Sequence, residues 1–234
     1  MNDILEVNDI HTFIGQFHIL EGVSLAVPEG SITVLLGRNG AGKSTTLKSI
    51  LGLTPPRTGS ITFAGEEIQG QFSYKIAKKG IGYVPERRAI FRDLSVEENL
   101  KIAERKKGDL AKRADFIFEI FPDLKRLIKL SGGNLSGGQQ QMLAVARALV
   151  PENSLLLIDE PSEGLAPVII EQMIAAIHQL SDHTTVLLVE QNFIMASQLA
   201  DRYTIIESGK SVKSGLMKAL IEDEETIRRY LGAN

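Results

Sequence analysis

The octapeptide Gly37-Arg38-Asn39-Gly40-Ala41-Gly42-Lys43-Ser44 constrains this chain more than any other feature. It fits G-x-x-x-x-G-K-[ST] without a mismatch. Before it runs an apolar, β-branched stretch, residues 32–36. After it, Leu47, Ile50 and Leu51 are spaced to face a core from one side of a helix. Strand, glycine loop and helix in that order let successive backbone N–H groups converge on phosphate oxygens, and the helix N-terminus adds positive potential. Lys43 is then placed to reach the β- and γ-phosphates of a nucleotide, Ser44 to ligate Mg2+, and Thr45 to add a nearby hydroxyl.

Further apolar runs, at residues 81–84, 155–158 and 184–189, are near-continuous rather than alternating. Parallel strands covered on both faces read this way. Helical stretches separate them: residues 139–149 align Met142, Ala146 and Leu149, and residues 168–180 align Ile170, Ile174 and Ile177. The pattern predicts an α/β fold with a parallel sheet.

Two regions depart from it. Up to about Phe63 the chain reads as β, with a run over 19–27, a Pro28-Glu29-Gly30 turn and the segment Ser60-Ile61-Thr62-Phe63. From about Arg87 to Val150 there is no strong strand candidate. That stretch is charged at Glu104-Arg105-Lys106-Lys107, interrupted at Gly108 and Pro122, and reads as a helical insertion. The expected division is residues 1–86 with 151–234 as a nucleotide-binding core with its β subdomain, and 87–150 as a helical subdomain. Towards the end, Ser208-Gly209 signals a hairpin. One last helix, 216–231, is expected to carry Glu222-Asp223-Glu224-Glu225 and Arg228-Arg229 on a solvated face.

Composition excludes several alternatives. The chain has 234 residues, 43% of them hydrophobic, enough to bury a core without covalent staples. It has no cysteine, hence no disulfide framework, thiolate metal site or thiol catalysis. A net charge of −3 argues against nucleic acid as a partner. No apolar run approaches the ~18 residues of a membrane span, and Met1-Asn2-Asp3-Ile4-Leu5-Glu6 is acidic where a signal peptide is basic. These features predict a soluble, cytosolic chain with no membrane span of its own.

The aliphatic run 155–158 ends in Asp159-Glu160. An acidic pair there is costly unless it faces a cleft. Asp159 suits Mg2+ binding, directly or through water, and Glu160 suits general-base activation of a water.

Leu135-Ser136-Gly137-Gly138-Gln139, just upstream of that strand, resembles the signature motif of ATP-binding cassette (ABC) ATPases. The order of phosphate loop, helical insertion, signature, acidic strand end and hairpin is similar to that family's over nearly the whole chain. The resemblance implies a P-loop cassette with a RecA-like parallel-sheet core, an N-terminal antiparallel β subdomain and an inserted helical subdomain. It also implies a head-to-tail dimer in which Leu135, Ser136, Gly137, Gly138 and Gln139 act on the partner's ATP. Finer patterns, Tyr83-Val84-Pro85-Glu86, Gly164-Leu165-Ala166-Pro167 and Val189-Glu190-Gln191-Asn192, look like those of the compact ATPase of branched-chain amino-acid importers. Similar ATPases serve urea and short amides. Soluble repair or translation members, with a long coiled-coil insertion or two cassettes, match less well.

By that resemblance, Glu86 takes the lid position that senses Mg2+ and the γ-phosphate. Gln191 stands at the switch position, where its amide can bond a phosphate oxygen but carry no proton. Either Phe13 stacks on adenine or the base rests on an aliphatic face near Ile14. The implied partners are a homodimer mate or a paralogous ATPase, membrane permease subunits and, indirectly, a substrate-binding protein. The implied location is peripheral, on the cytoplasmic side of the inner membrane. Ile90 and Phe91 are candidates for permease contact or local packing, while His11, His18, His178 and His183 read as structural or surface residues.

Overall fold

The computed structural model describes residues 2–232. Met1, the first residue of the acidic start, lies outside them, as do Ala233 and Asn234. The chain begins with two long antiparallel strands, β1 (Asp3–Ile14) and β2 (Phe17–Pro28), and continues into β3 (Ile32–Leu36) and helix α1 (Lys43–Ile50). Strands β4 (Thr58–Phe63) and β5 (Glu66–Glu67), helix α2 (Ser73–Lys78) and β6 (Ile81–Val84) follow. The helical segment holds α3 (Val96–Lys101), α4 (Asp109–Ile120), α5 (Pro122–Arg126) and α6 (Gly137–Leu149). Then come β7 (Leu155–Asp159), α7 (Pro167–Ser181), β8 (Thr185–Glu190), α8 (Phe193–Leu199), β9 (Arg202–Glu207) and β10 (Lys210–Leu216).

Two sheets result. One is antiparallel, ordered β2-β1-β4-β5; the other is ordered β10-β9-β3-β8-β7-β6, parallel except for the β9–β10 hairpin. The apolar runs are continuous because both faces of the larger sheet are covered. Leu35, Leu155, Leu157, Leu187 and Val189 turn into one apolar cluster with α1 and the antiparallel sheet. Val34, Leu36, Leu156, Ile158 and Leu188 turn into a second cluster with the helices. That second cluster runs on into the helical segment through Leu100, Ile117, Leu124 and Leu143.

Local expectations hold with three corrections. Ser208 and Gly209, both at positive φ (48° and 76°), form the turn between β9 and β10. Gly108 precedes α4 and Pro122 is the first residue of α5, so the two interruptions are helix starts. On α7, however, the buried stripe is Met173, Ala176, Ile177 and Leu180; Ile170 and Ile174 sit at its half-buried margin. The segment named as Ile19 to Val27 is the longer β2, and its partner β1 extends the sheet from Asp3.

The expected single helix over 216–231 is broken. It is α9 (Met217–Ile221), a stop at Asp223, then α10 (Glu224–Thr226) and a wide turn over Ile227–Leu231. Asp223 accepts from the Thr226 backbone N–H and pairs with Lys213 at 2.5 Å, so it is a capping residue rather than part of a solvated face.

Candidate functional site

The phosphate loop joins β3 to α1. Gly37 is there because a Cβ would stand 2.4 Å from the Ile206 carbonyl. Gly42, at φ 110°, turns the chain into α1 where a Cβ would meet Leu20. Gly37, Ala41, Gly42 and Lys43 are buried, while Arg38, Asn39 and Gly40 are exposed and Ser44 and Thr45 half-buried. The Lys43 ammonium donates to the Gly37 carbonyl at 2.9 Å and the Arg38 carbonyl at 3.2 Å, and pairs with Glu160 at 2.9 Å. Two of its donors thus aim into the loop and the third at Glu160.

The acidic strand end meets that loop. Ser44 donates to Asp159 Oδ1 at 3.0 Å, and the Tyr83 hydroxyl reaches Asp159 Oδ2 at 3.3 Å. Burial raises the Asp159 pKa, opposed by the Ser44 bond, with the Glu160 and Glu86 charges adding to the rise. Glu160 has φ 45°, a left-handed conformation costly for a residue with a Cβ and typical of functional positions. Its amide is held by the Val189 carbonyl at 2.9 Å. The segment after β8 is pinned by Glu190, whose carboxylate is buried and accepts from the amides of Ser162, Gln191 and Asn192. Gln191 itself is exposed.

The signature divides by role. Ser136 caps α6 in a capping box with Gln139. Leu135 is buried, and Gly138 packs so closely on α7 that a Cβ would lie 2.7 Å from Ile169 Cγ2. Only Ser136 and Gly137 face outward. Among the described residues no hydrogen bond joins residues 135–139 to the phosphate loop.

Between Glu86 and the start of α6 opens a cavity of about 500 Å3 lined by Glu86, Arg88, Gln140 and Glu163. Arg88 lies 3.2 Å from where a Gly137 Cβ would be. Burial, then Glu86, raises the Glu163 pKa. Phe91 is 45% exposed on a loop fixed from beneath: fully buried Asn99 accepts from its amide and donates to its carbonyl. Arg147, on α6, donates to the Ala89 carbonyl and lies 4.8 Å over the Phe91 ring. Ile90 is half-buried against the helical cluster.

The aromatic candidate is less free. Phe13 stacks on His18 at 4.1 Å and is covered on its ring by Arg57 at 4.0 Å. Ile14 is exposed. His11 contacts His18 at 3.1 Å, His178 the Gln198 carbonyl, and His183 the edge of Phe116.

The family model described as "ABC transporter" matches residues 20–163, more than half of the chain. The chain belongs to the ABC transporter family. Among its ABC relatives, the high-affinity branched-chain amino acid transport ATP-binding protein BraG of Pseudomonas aeruginosa is 43% identical over 98% of this chain and 100% of that protein. A probable branched-chain amino acid transport ATP-binding protein, LivF, of Archaeoglobus fulgidus is 38% identical over 93% of this chain and 94% of its own. The solved ADP conformation of an ABC cassette superposes with a TM-score of 0.85 at 24% identity, covering 97% of this chain and 98% of that one. A dimeric post-hydrolysis cassette bound to ADP and Pi superposes at 0.79 and 24%, covering 91% and 98%. The chain is thus an ATP-binding ABC ATPase of mixed α/β fold.

Arg147, Asn99, Arg88, Tyr83 and Glu190 were not singled out from sequence as site residues. Glu190 alone carried a local signal, a carboxylate closing an aliphatic strand. Tyr83, Arg88 and Arg147 act through contacts between segments distant in the chain, whereas Asn99 binds the loop only four to eight residues before it.

Proposed function

We propose that this chain is the ATP-hydrolysing subunit of an importer for branched-chain amino acids. The full-length similarity to the Pseudomonas relative carries the substrate class; a urea or short-amide importer is the competing reading. The observation that carries the assembly is the outward placement of Ser136 and Gly137 at the α6 N-terminus, with no bond to their own phosphate loop. A second cassette, a copy or a paralogue, supplies the missing half of each ATP site. Exposed Phe91, beside Ile90 packed on the helical cluster, is the permease contact in this reading; the chain then sits peripherally at the cytoplasmic side of the inner membrane, and a substrate-binding protein serves the permease. Among the described residues no helix is long and apolar enough to cross a membrane.

Ser44, Asp159 and Glu86 are the residues that would hold Mg2+. A hydroxyl and carboxylates are the hard oxygen donors this ion takes. Ser44 and Asp159 already meet at 3.0 Å, and the Glu86 charge acts on Asp159. Bound there, such an ion would offset charge on the phosphates. Lys43 turns from Glu160 onto the β- and γ-phosphates. Glu160, released, accepts a proton from the water whose oxygen bonds the γ-phosphorus as the bond to the β-phosphate oxygen breaks. The Gln191 amide donates to a γ-phosphate oxygen.

The test is complementation. In cells lacking their own branched-chain amino-acid ATPase, the chain expressed with its permeases restores labelled leucine uptake, and Ser136→Arg abolishes both uptake and ATP-dependent dimerisation. Restored urea uptake without leucine uptake would replace the substrate; a dimer indifferent to Ser136→Arg would remove the assembly.

A further inference from the structure

The ends of the parallel strands opposite the phosphate loop carry a second concentration of positive charge. Gly80 leads into β6 and Ser154 into β7, whereas Asp159 and Glu160 close β7 at its other end, about 16 Å away for five residues. Between these strand starts and the helical segment lies a cavity of about 570 Å3. Lys78 and Lys79 line its sheet side; Arg105, Lys106, Lys112 and Arg113 line its helical side. Two carboxylates, Asp109 and Glu152, face these six cations. Asp109 already accepts from the amides of Arg105 and Lys106, Lys79 pairs with Glu66, and one Arg105 Nη donates to the Ile81 carbonyl at 3.1 Å.

In a chain of net charge −3 this excess is local. Like charges around a concave wall repel unless a counter-ion joins them. Arg113, whose guanidinium lies 4.4 Å over the Phe116 ring, also keeps a buried Nε with no hydrogen-bond partner among the described residues.

We propose that this cavity is a second anion site, taking a compact, multiply charged phosphate group that bridges its sheet side to its helical side. Guanidinium forks match phosphate oxygens in pairs, and the lysines add point charge. Among the described residues its lining is mainly charged and aliphatic, which suits the phosphate group itself. The group can come from a free polyphosphate-bearing solute or from a lipid headgroup. The second source has a local argument: Phe72 and Tyr74, both exposed, stack on each other beside the rim, and the Lys78 ammonium lies 5.7 Å from the Tyr74 ring.

The experiment is calorimetric titration of inorganic tripolyphosphate into Lys43→Ala, in which the phosphate loop is disabled. One-to-one binding is expected, weakened at least tenfold by the pair Lys106→Glu and Lys112→Glu, both on exposed side chains that the fold does not need. No binding to Lys43→Ala, or binding indifferent to the charge reversals, overturns the site. Sedimentation with phosphatidylglycerol and phosphatidylcholine vesicles separates the sources. Retention on phosphatidylglycerol that the reversals abolish assigns the lipid headgroup; tripolyphosphate binding without vesicle retention assigns the free anion.

Discussion

The Lys43 ammonium and the Glu160 carboxylate meet at 2.9 Å, so the cation proposed to bind phosphate and the proposed base share one ion pair. Glu160 is held at that place by a strained backbone, φ 45°, and by the Val189 carbonyl. A γ-phosphate that draws Lys43 away therefore also frees the base. Glu160→Gln should keep ATP binding but lose ~10²–10⁴-fold in turnover, read as phosphate release against nucleotide affinity on the same preparation. Sustained hydrolysis would remove Glu160 as the base.

Gly138 sets the spacing of α6 and α7. A methyl there meets Ile169 Cγ2 at 2.7 Å and Cγ1 at 3.1 Å. Gly138→Ala should cost about 1–3 kcal/mol by overpacking, measured by denaturant unfolding. Adding Ile169→Ala should recover part of that loss, since the two positions touch and their effects are coupled.

Arg147 ties the Phe91 loop to the signature helix. Arg147→Met keeps the stem but deletes the bond to the Ala89 carbonyl and the cation over the Phe91 ring. Stability should fall by about 1–3 kcal/mol, and amide hydrogen exchange should quicken at residues 89–91. An unchanged exchange rate would show that Asn99 alone fixes the loop.

Phe13 can serve adenine only if Arg57 leaves its ring face. If the base stacks there, Phe13→Ala should weaken ATP binding about tenfold, in keeping with ~1–3 kcal/mol per stacked base, while Arg57→Ala should not weaken it. Equal affinities for wild type and Phe13→Ala would leave the base on the aliphatic face near Ile14.

Asp223 gives the C-terminal turn a pH dependence. Lys213, followed by Thr226, lowers its pKa to about 2 from an ordinary 3.8. A carboxylate depressed in the folded state contributes stability above its unfolded value and loses it as pH falls towards the folded one. Asp223→Asn should thus lower the melting temperature near neutral pH, and the gap from wild type should close between about pH 4 and 2. A gap constant with pH would assign the effect to the cap and not the charge pair.

Much was legible in one dimension because its causes are local. The aliphatic runs over 32–36, 155–158 and 184–189 announce strands buried on both faces. Gly37 to Ser44 announces a phosphate loop through its glycines and its place between strand and helix. Leu135 to Gln139 gave the family before any contact was known. The C-terminal helix is broken where the sequence predicts continuity, because helix propensity over 216–231 is a sum over neighbours, whereas Asp223 answers to Lys213 on a neighbouring strand. Tertiary structure alone decided that Ser136 and Gly137 face out while Leu135 and Gly138 face in, that Lys43 holds Glu160, and that Arg147 grips the Phe91 loop. It also gathered Lys78 and Lys79 with Arg105 to Arg113 into one cavity. Periodicity fixes which face of a strand or helix is apolar; which distant segment covers that face, and which charges are left to meet, is settled only when the layers pack.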